Sequence, residues 1–360
     1  MVLFVVDDNI DKLQIIPQQF ISNIKTEVPM KRFIYAMASL TIIALCYAAF
    51  SHLSLSGNET PAVQSRAEAE YRFPDFYRGI YLNVYSARTV EKLNYFIKKA
   101  RESKINTIVM DVQSSRYQKC IVPAENVRLC RQNGIHAVAR IVVFPEGLKD
   151  YPVPQSLIDE KLDIAESACI SGFKEIQFDY IRFNDSKRLK FLSQADRYKF
   201  IEGLLLTMRT HLKKYDVKIA ADIFGRIPLN KGDIIGQRME GLDNVVDIIC
   251  PMAYPSHYTW SKKLQNDPYY TVLITSKSAR ERTKQAQIVT YIQAFQMKLG
   301  TIPYRTYIHE QIKAIHDSGV KGFIFWNARQ DYEVPLDVAA RYYSGEVIVS
   351  EKEDISPDRS

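Results

Sequence analysis

Short apolar runs alternate with stretches of helical spacing along most of the chain, and this alternation predicts the fold. Runs rich in β-branched and aromatic residues cover 79–86, 107–113, 136–144, 175–183, 218–225, 247–254, 286–295 and 322–329. Between the first two, Val90, Leu93, Phe96, Ile97 and Ala100 repeat at three and four, which gives a helix over 89–104 one buried face. Thr89 stands at its N-cap position. Helical spacing also covers 193–215, 270–284 and 304–318, the last followed by Gly319 where a C′ residue belongs. Between the fifth and sixth runs only GLDNVV offers a short candidate. Eight strands alternating with helices predict parallel βαβ units, and eight is the number that closes a (β/α)8 barrel, here over 77–344. A doubly wound open sheet is the competing arrangement. It lacks its phosphate loop, because GIYLNVYS runs directly into ARTVEKL without a GxGxxG or Walker-type glycine pattern. Nucleotide binding of those kinds is excluded.

The N-terminal part breaks the pattern. Lys31 and Arg32 precede eighteen residues, Phe33 to Phe50, without a charge. At about 1.5 Å per residue this run covers nearly 27 Å, just enough to span a bilayer. The basic flank predicts a cytoplasmic N-terminal side, with everything after residue 57 exported. The same residues, 30–55, also read as a cleaved signal with small residues at Ser54 and Ser56; Met30 would then be a natural start and 1–29 an upstream extension. The expected location of the barrel is therefore outside the cytoplasm, either anchored through 33–50 or released. Residues 56–76 are polar and read as a linker, and 345–360 as an acidic, disordered tail.

Composition narrows the function classes. With 46% hydrophobic and 25% charged residues, a sizeable core is expected. The net charge of +7 is scattered and forms no run or stripe, so no nucleic-acid partner is expected. Five cysteines show no zinc spacing and six histidines no HExxH, so neither metal nor cofactor is expected. A bridge between Cys120 and Cys130 stays open at this level. Cys250 reads as a small buried hydrophobe, and Cys46 as a weak match to an acylation site.

Strands of a parallel sheet covered on both faces should be nearly all apolar. Here six of the eight runs carry a polar residue in their later part: Asp111, Arg140, Asp179, Asp222, Gln293 and Asn327. Parity decides which face each occupies. Asp179 shares its face with Gln177, Asp222 with Ala220, and Asp111 with Val109 and Gln113. In a barrel these positions face inward near the C-terminal mouth, where catalytic residues of this fold collect. Burying unpaired carboxylates costs several kcal/mol, so carboxylates and an arginine sharing a wet cleft explain the ring better than six separate turn caps. No GxSxG elbow or Cys–His signature is present. Two or three carboxylates with one arginine remain, and glycosidic cleavage needs such a set: one carboxylate as nucleophile or base, one carboxylic acid for the leaving oxygen.

The segments ARIVVF (139–144), GFKEIQFDYIRF (172–183), ADIFG (221–225), IGQ (235–237) and DIICPMAYPSHY (247–258) resemble a bacterial glycosyl-hydrolase-domain family. That family has a TIM-barrel fold related to the α-amylase-like hydrolases. The similarity runs roughly from Gly79 to Tyr343. It implies a glycoside hydrolase with a polysaccharide or oligosaccharide substrate, Asp179 in the nucleophile position, and Arg182 or Arg140 as its cationic partner. Asp222 stands where such barrels usually carry a glutamate acid/base. His257 and Tyr258 resemble substrate-contact positions, and Trp326 with Asn327 ends the last strand as in the family, with Trp326 and Tyr254 candidates for sugar stacking or for core packing. Two departures stand out: the loop 145–155 is short, and Asn184 replaces a usual proline. These departures leave two alternatives to catalysis: a non-catalytic carbohydrate-binding barrel and a cell-envelope interaction platform.

Overall fold

In a computed structural model, which describes residues 71–114, 118–186 and 189–346, eight parallel strands close into a barrel with helices outside it. The extension 1–29, the segment 30–55 with Cys46, residues 56–70 of the linker and residues 347–360 of the tail lie outside these residues. Among the described residues no helix is long and apolar enough to cross a membrane.

The first half of the barrel is β1 (Tyr77–Leu82), β2 (Thr107–Asp111), β3 (His136–Val142) and β4 (Glu175–Asp179). The second half is β5 (Lys218–Phe224), β6 (Ile248–Ala253), a seventh strand in two pieces, and β9 (Gly322–Trp326). The two pieces, β7 (Gln287–Ile288) and β8 (Thr290–Gln293), both pair with β6. Val289 between them still donates its N–H to Ile249 O at 3.1 Å. Closure is made by β9 against β1, with Tyr77 level with Gly322 and Gly79 with Ile324. The backbones approach so closely there that a Cβ on Gly322, whose φ is +135°, would lie 2.0 Å from Tyr77 O. Only glycine fits.

Outside the strands lie α1 (Val84–Arg88), α2 (Val90–Glu102), α3 (Ala124–Gln132), α4 (Gln155–Ile170) and α5 (Gln194–Leu212). They are followed by α6 (Met239–Leu242), α7 (Lys262–Asn266), α8 (Pro268–Glu281), α9 (Tyr304–Ser318) and α10 (Glu333–Ser344). Of the stripe expected on α2, Leu93, Phe96, Ile97 and Ala100 are buried, whereas Val90 in its first turn is 43% exposed. Gly319 ends α9 in the left-handed region, as its position implies. Thr89 differs from expectation. It sits between α1 and α2 and turns its hydroxyl back to Tyr85 O at 2.7 Å, so it closes α1 and does not cap α2. GLDNVV yields only the single turn α6, which begins two residues earlier.

Strand parity sorts the core into two shells. Ile176, Phe178, Ile219, Ala221 and Ile223 face the helices, while Val109, Val138, Ala220, Ile248, Cys250 and Ile324 fill the barrel. Full burial of each such aliphatic side chain contributes about 1.5–3 kcal/mol. The floor is polar: Glu175 accepts from the Tyr77 hydroxyl and lies against His136 Nε2, both at 2.9 Å. Cys120 and Cys130 are free and buried, so no bridge joins them.

Candidate active site

Above the apolar filling, the upper ends of β2 to β5 carry a cluster built around one cation. Arg140 on β3 is 5% exposed and reaches three carboxylates. Its Nε donates to Asp179 Oδ2 at 3.0 Å, a second guanidinium nitrogen contacts the same oxygen, and the third pairs with Asp111 Oδ1. Asp222 Oδ2 lies 3.9 Å from the Nε. Burial alone would weaken the charge of Arg140, but Asp179, Asp111 and Asp222 more than offset this and raise its pKa well above the usual arginine value. The rings of Tyr81 and Trp326 cover the guanidinium at 5.4 and 5.1 Å, and the Tyr81 hydroxyl donates to Asp111 Oδ2 at 2.5 Å.

Asp179 ends β4, and its second oxygen accepts the backbone N–H of Tyr180 at 2.5 Å. That contact depends on an unusual backbone: Tyr180 has φ +54°, a region costing roughly 1–2 kcal/mol for an L-residue. The strand stops there, four residues short of the run read from the sequence.

Asp222 on β5 is fully enclosed. The β4–β5 register pairs Phe178 with Ala221, so one step further sets Asp222 level with Asp179. Its Oδ1 accepts from Gln177 Nε2 at 2.6 Å, and the same amide donates to the Tyr291 hydroxyl. Burial, and then the neighbouring charge of Asp179, push the Asp222 carboxyl well above the usual range, against the opposing pull of Arg140 and the Gln177 amide. Sharing Arg140 Nε at 3.0 and 3.9 Å, the Oδ2 atoms of Asp179 and Asp222 lie at most about 7 Å apart.

Both carboxylates line a cavity of about 380 Å3 together with Arg140. Its wall is strongly aromatic and includes Tyr180, Phe224, Tyr254, His257, Tyr258, Trp260, Tyr291 and Trp326. Burial, and then Lys298, lower the pKa of His257, so its imidazole is neutral at pH 7. The arrangement combines a carboxyl whose pKa is raised by burial, a second carboxyl paired with a cation, and an aromatic wall beside both.

A family model described as "Putative glycosyl hydrolase domain" matches residues 150–332. The chain belongs to that family. The match takes in β4 to β9 and leaves β1 to β3, and with them Arg140, outside it. Among curated proteins none matches the sequence. Solved structures share the fold of this glycosyl hydrolase domain at low identity. The PgaB (BpsB) glycoside hydrolase domain from Bordetella bronchiseptica is 9% identical with a TM-score of 0.54, covering 76% of this chain and all of that one. The endo-β-1,4-mannanase from Thermotoga petrophila is 12% identical at 0.53, covering 77% and 79%. The Bacillus cereus spore cortex-lytic enzyme SleL is 11% identical at 0.53, covering 78% and 76%.

Seven of the residues singled out from sequence line one cavity of the barrel: Asp179, Asp222, Arg140, Tyr254, His257, Tyr258 and Trp326. Asp111 adjoins them through Arg140. The remaining three are not in the cavity lining. Arg182 packs over Phe224 at 4.5 Å and pairs loosely with Asp185 at 3.8 Å, so Arg140, not Arg182, is the partner of Asp179. Gln293 braces the turn after β6 by accepting from Ser256 N, and its amide donates to Phe295 O and Met297 O. Asn327 donates to Ala294 O and Asp331 O, tying two loops together. Sequence reading missed Tyr180, Phe224, Arg226, Trp260 and Tyr291. Two of them were within reach of parity: Phe224 follows Asp222 at i+2, and Tyr291 precedes Gln293 at i−2.

Proposed function

We propose that the protein hydrolyses a glycosidic bond of a polysaccharide, with Asp222 as the acid/base and Asp179 as the nucleophile. The observation that carries this reading is the contrast between two carboxyls at one level of adjacent strands. Asp222 is enclosed and its pKa is raised, which suits a proton donor. Asp179 is held by Arg140 and the Tyr180 N–H, which fix its orientation. In the reading, the bond from the anomeric carbon to the leaving oxygen breaks, that oxygen takes the Asp222 proton, and Asp179 bonds to the anomeric carbon. Water then releases the sugar, giving its proton back to Asp222. The aromatic wall supports a substrate with flat apolar faces, which pyranose rings present. The barrel is proposed to work outside the cytoplasm, where polysaccharides lie, carried there by the 33–50 segment.

The test is release of reducing ends from a polysaccharide panel by the full chain, beside Asp179→Asn and Asp222→Asn. Turnover by the wild type, lost in both variants, supports the assignment. Turnover that survives Asp179→Asn unchanged sinks the nucleophile role. Binding of a glycan without any release of reducing ends overturns catalysis in favour of a carbohydrate-binding barrel.

A further inference from the structure

The protein has two tryptophans, and both line the same cavity. Trp326 lies deep, against Tyr81 with ring centroids 4.2 Å apart. Trp260 stands at the rim with 59% of its surface exposed. An indole left in water forgoes a large burial energy, and a flexible loop could fold it away.

This loop is anchored. Ser256 N donates to Gln293 Oε1 at 3.1 Å, and Gln265 Nε2 donates to Ser256 O at 3.3 Å. Ser261 N donates to Tyr258 O at 3.1 Å. Tyr258 beneath is 1% exposed, with its hydroxyl bonded to Thr275 at 2.8 Å. It is seated against Gly225, where a Cβ would come within 2.3 Å of the Tyr258 oxygen. The Trp260 ring leans on this fixed tyrosine at 5.0 Å, so it is held open by its supports. Its cost of ordering is met before any ligand arrives.

The cavity volume of about 380 Å3 lies near the lower end of the range for ligand sites, about 300–1,000 Å3, so a chain of several sugars must continue across the rim. We propose that Trp260 is a stacking platform for a neutral pyranose ring lying outside the carboxylate pair, so that the protein grips the interior of a glycan chain and not merely its end. The proposal rests on the glycan reading of the cavity and adds where a longer chain gains its affinity.

The experiment uses the full-length protein carrying Asp222→Asn to prevent cleavage, titrated with manno- and chito-oligosaccharides from disaccharide to hexasaccharide. Intrinsic fluorescence is the readout, and Trp326 remains as reporter when Trp260 is replaced. Tighter binding of the hexasaccharide than the disaccharide is expected. Trp260→Ala should weaken the hexasaccharide about tenfold and leave the disaccharide unchanged, while Trp260→Phe retains most of the gain. Equal hexasaccharide affinity with and without Trp260 overturns the platform and leaves the glycan reading standing. If no oligosaccharide of either series binds the parent, the glycan reading falls and the platform falls with it.

Discussion

The side-chain amide of Gln177 donates to Asp222 Oδ1 at 2.6 Å and so works against the burial that raises the pKa of this carboxyl. A donor to a carboxylate favours the ionised form and lowers its pKa. A catalytic acid acts while it holds its proton, so activity falls as pH rises through its pKa. Removing the amide must raise the Asp222 pKa further. In Gln177→Leu the alkaline limb of kcat/KM is therefore expected to move to higher pH, measured as a pH–rate profile on whichever polysaccharide is turned over. An alkaline limb that stays in place would detach Asp222 from the acid role.

Stability should respond to the same group, and it too should fall as pH rises. The folded pKa of Asp222 is raised above its unfolded value, so its contribution is full below the unfolded pKa and is lost as pH rises toward the folded one. Asparagine in its place has no proton to lose and can still accept from Gln177. The melting temperature of Asp222→Asn relative to wild type should therefore climb as pH rises above about 4, while hydrolysis is abolished. Differential scanning calorimetry across that range checks it, and a flat difference would refute the shift.

Much of this site was legible in the sequence because strand periodicity is strict. A period of two leaves no choice about the face of Asp179, Asp222 or Asp111 once the strands are placed, and those carboxylates do converge on Arg140. The eight runs also carried the barrel. Loops follow no such period. Trp260 reaches the cavity through a turn held by Gln293, a residue 37 positions beyond Ser256, and no local pattern encodes that relationship. Gln293 and Asn327 share the strand-end signature of the carboxylates, yet spend their amides on loop backbone. A polar residue at a strand end satisfies both uses equally, and only tertiary contacts separate them.

Tyr180 takes a left-handed backbone conformation at the site, and its side chain is only partly packed, with 36% of its surface exposed. Tyr180→Gly should melt no lower than wild type, because glycine removes a left-handed cost of roughly 1–2 kcal/mol. Tyr180→Val should be the least stable of the series, since β-branched residues are genuine outliers at positive φ. Thermal unfolding of Gly, Ala and Val variants tests the order. A valine variant as stable as the glycine one would mean that the segment after Asp179 relaxes at no cost, and that the Tyr180 N–H is not held on the carboxylate by the fold.

Among the described residues Arg140 is the cation paired with Asp111, Asp179 and Asp222, and its loss leaves these mostly buried carboxyls without a counter-charge. Breaking a buried pair by removing one partner costs about 3–5 kcal/mol, chiefly because the remaining charge is uncompensated. Arg140→Leu should lose about that much in urea unfolding. The penalty belongs to the stranded carboxylates more than to the missing guanidinium, so neutralising them should restore stability. A triple variant with Arg140→Leu, Asp111→Asn and Asp179→Asn is accordingly expected to recover most of the loss while remaining inactive. If the single variant loses under about 1 kcal/mol, water reaches these carboxylates freely. Arg140 would then matter for orienting Asp179 and not for holding the barrel mouth together.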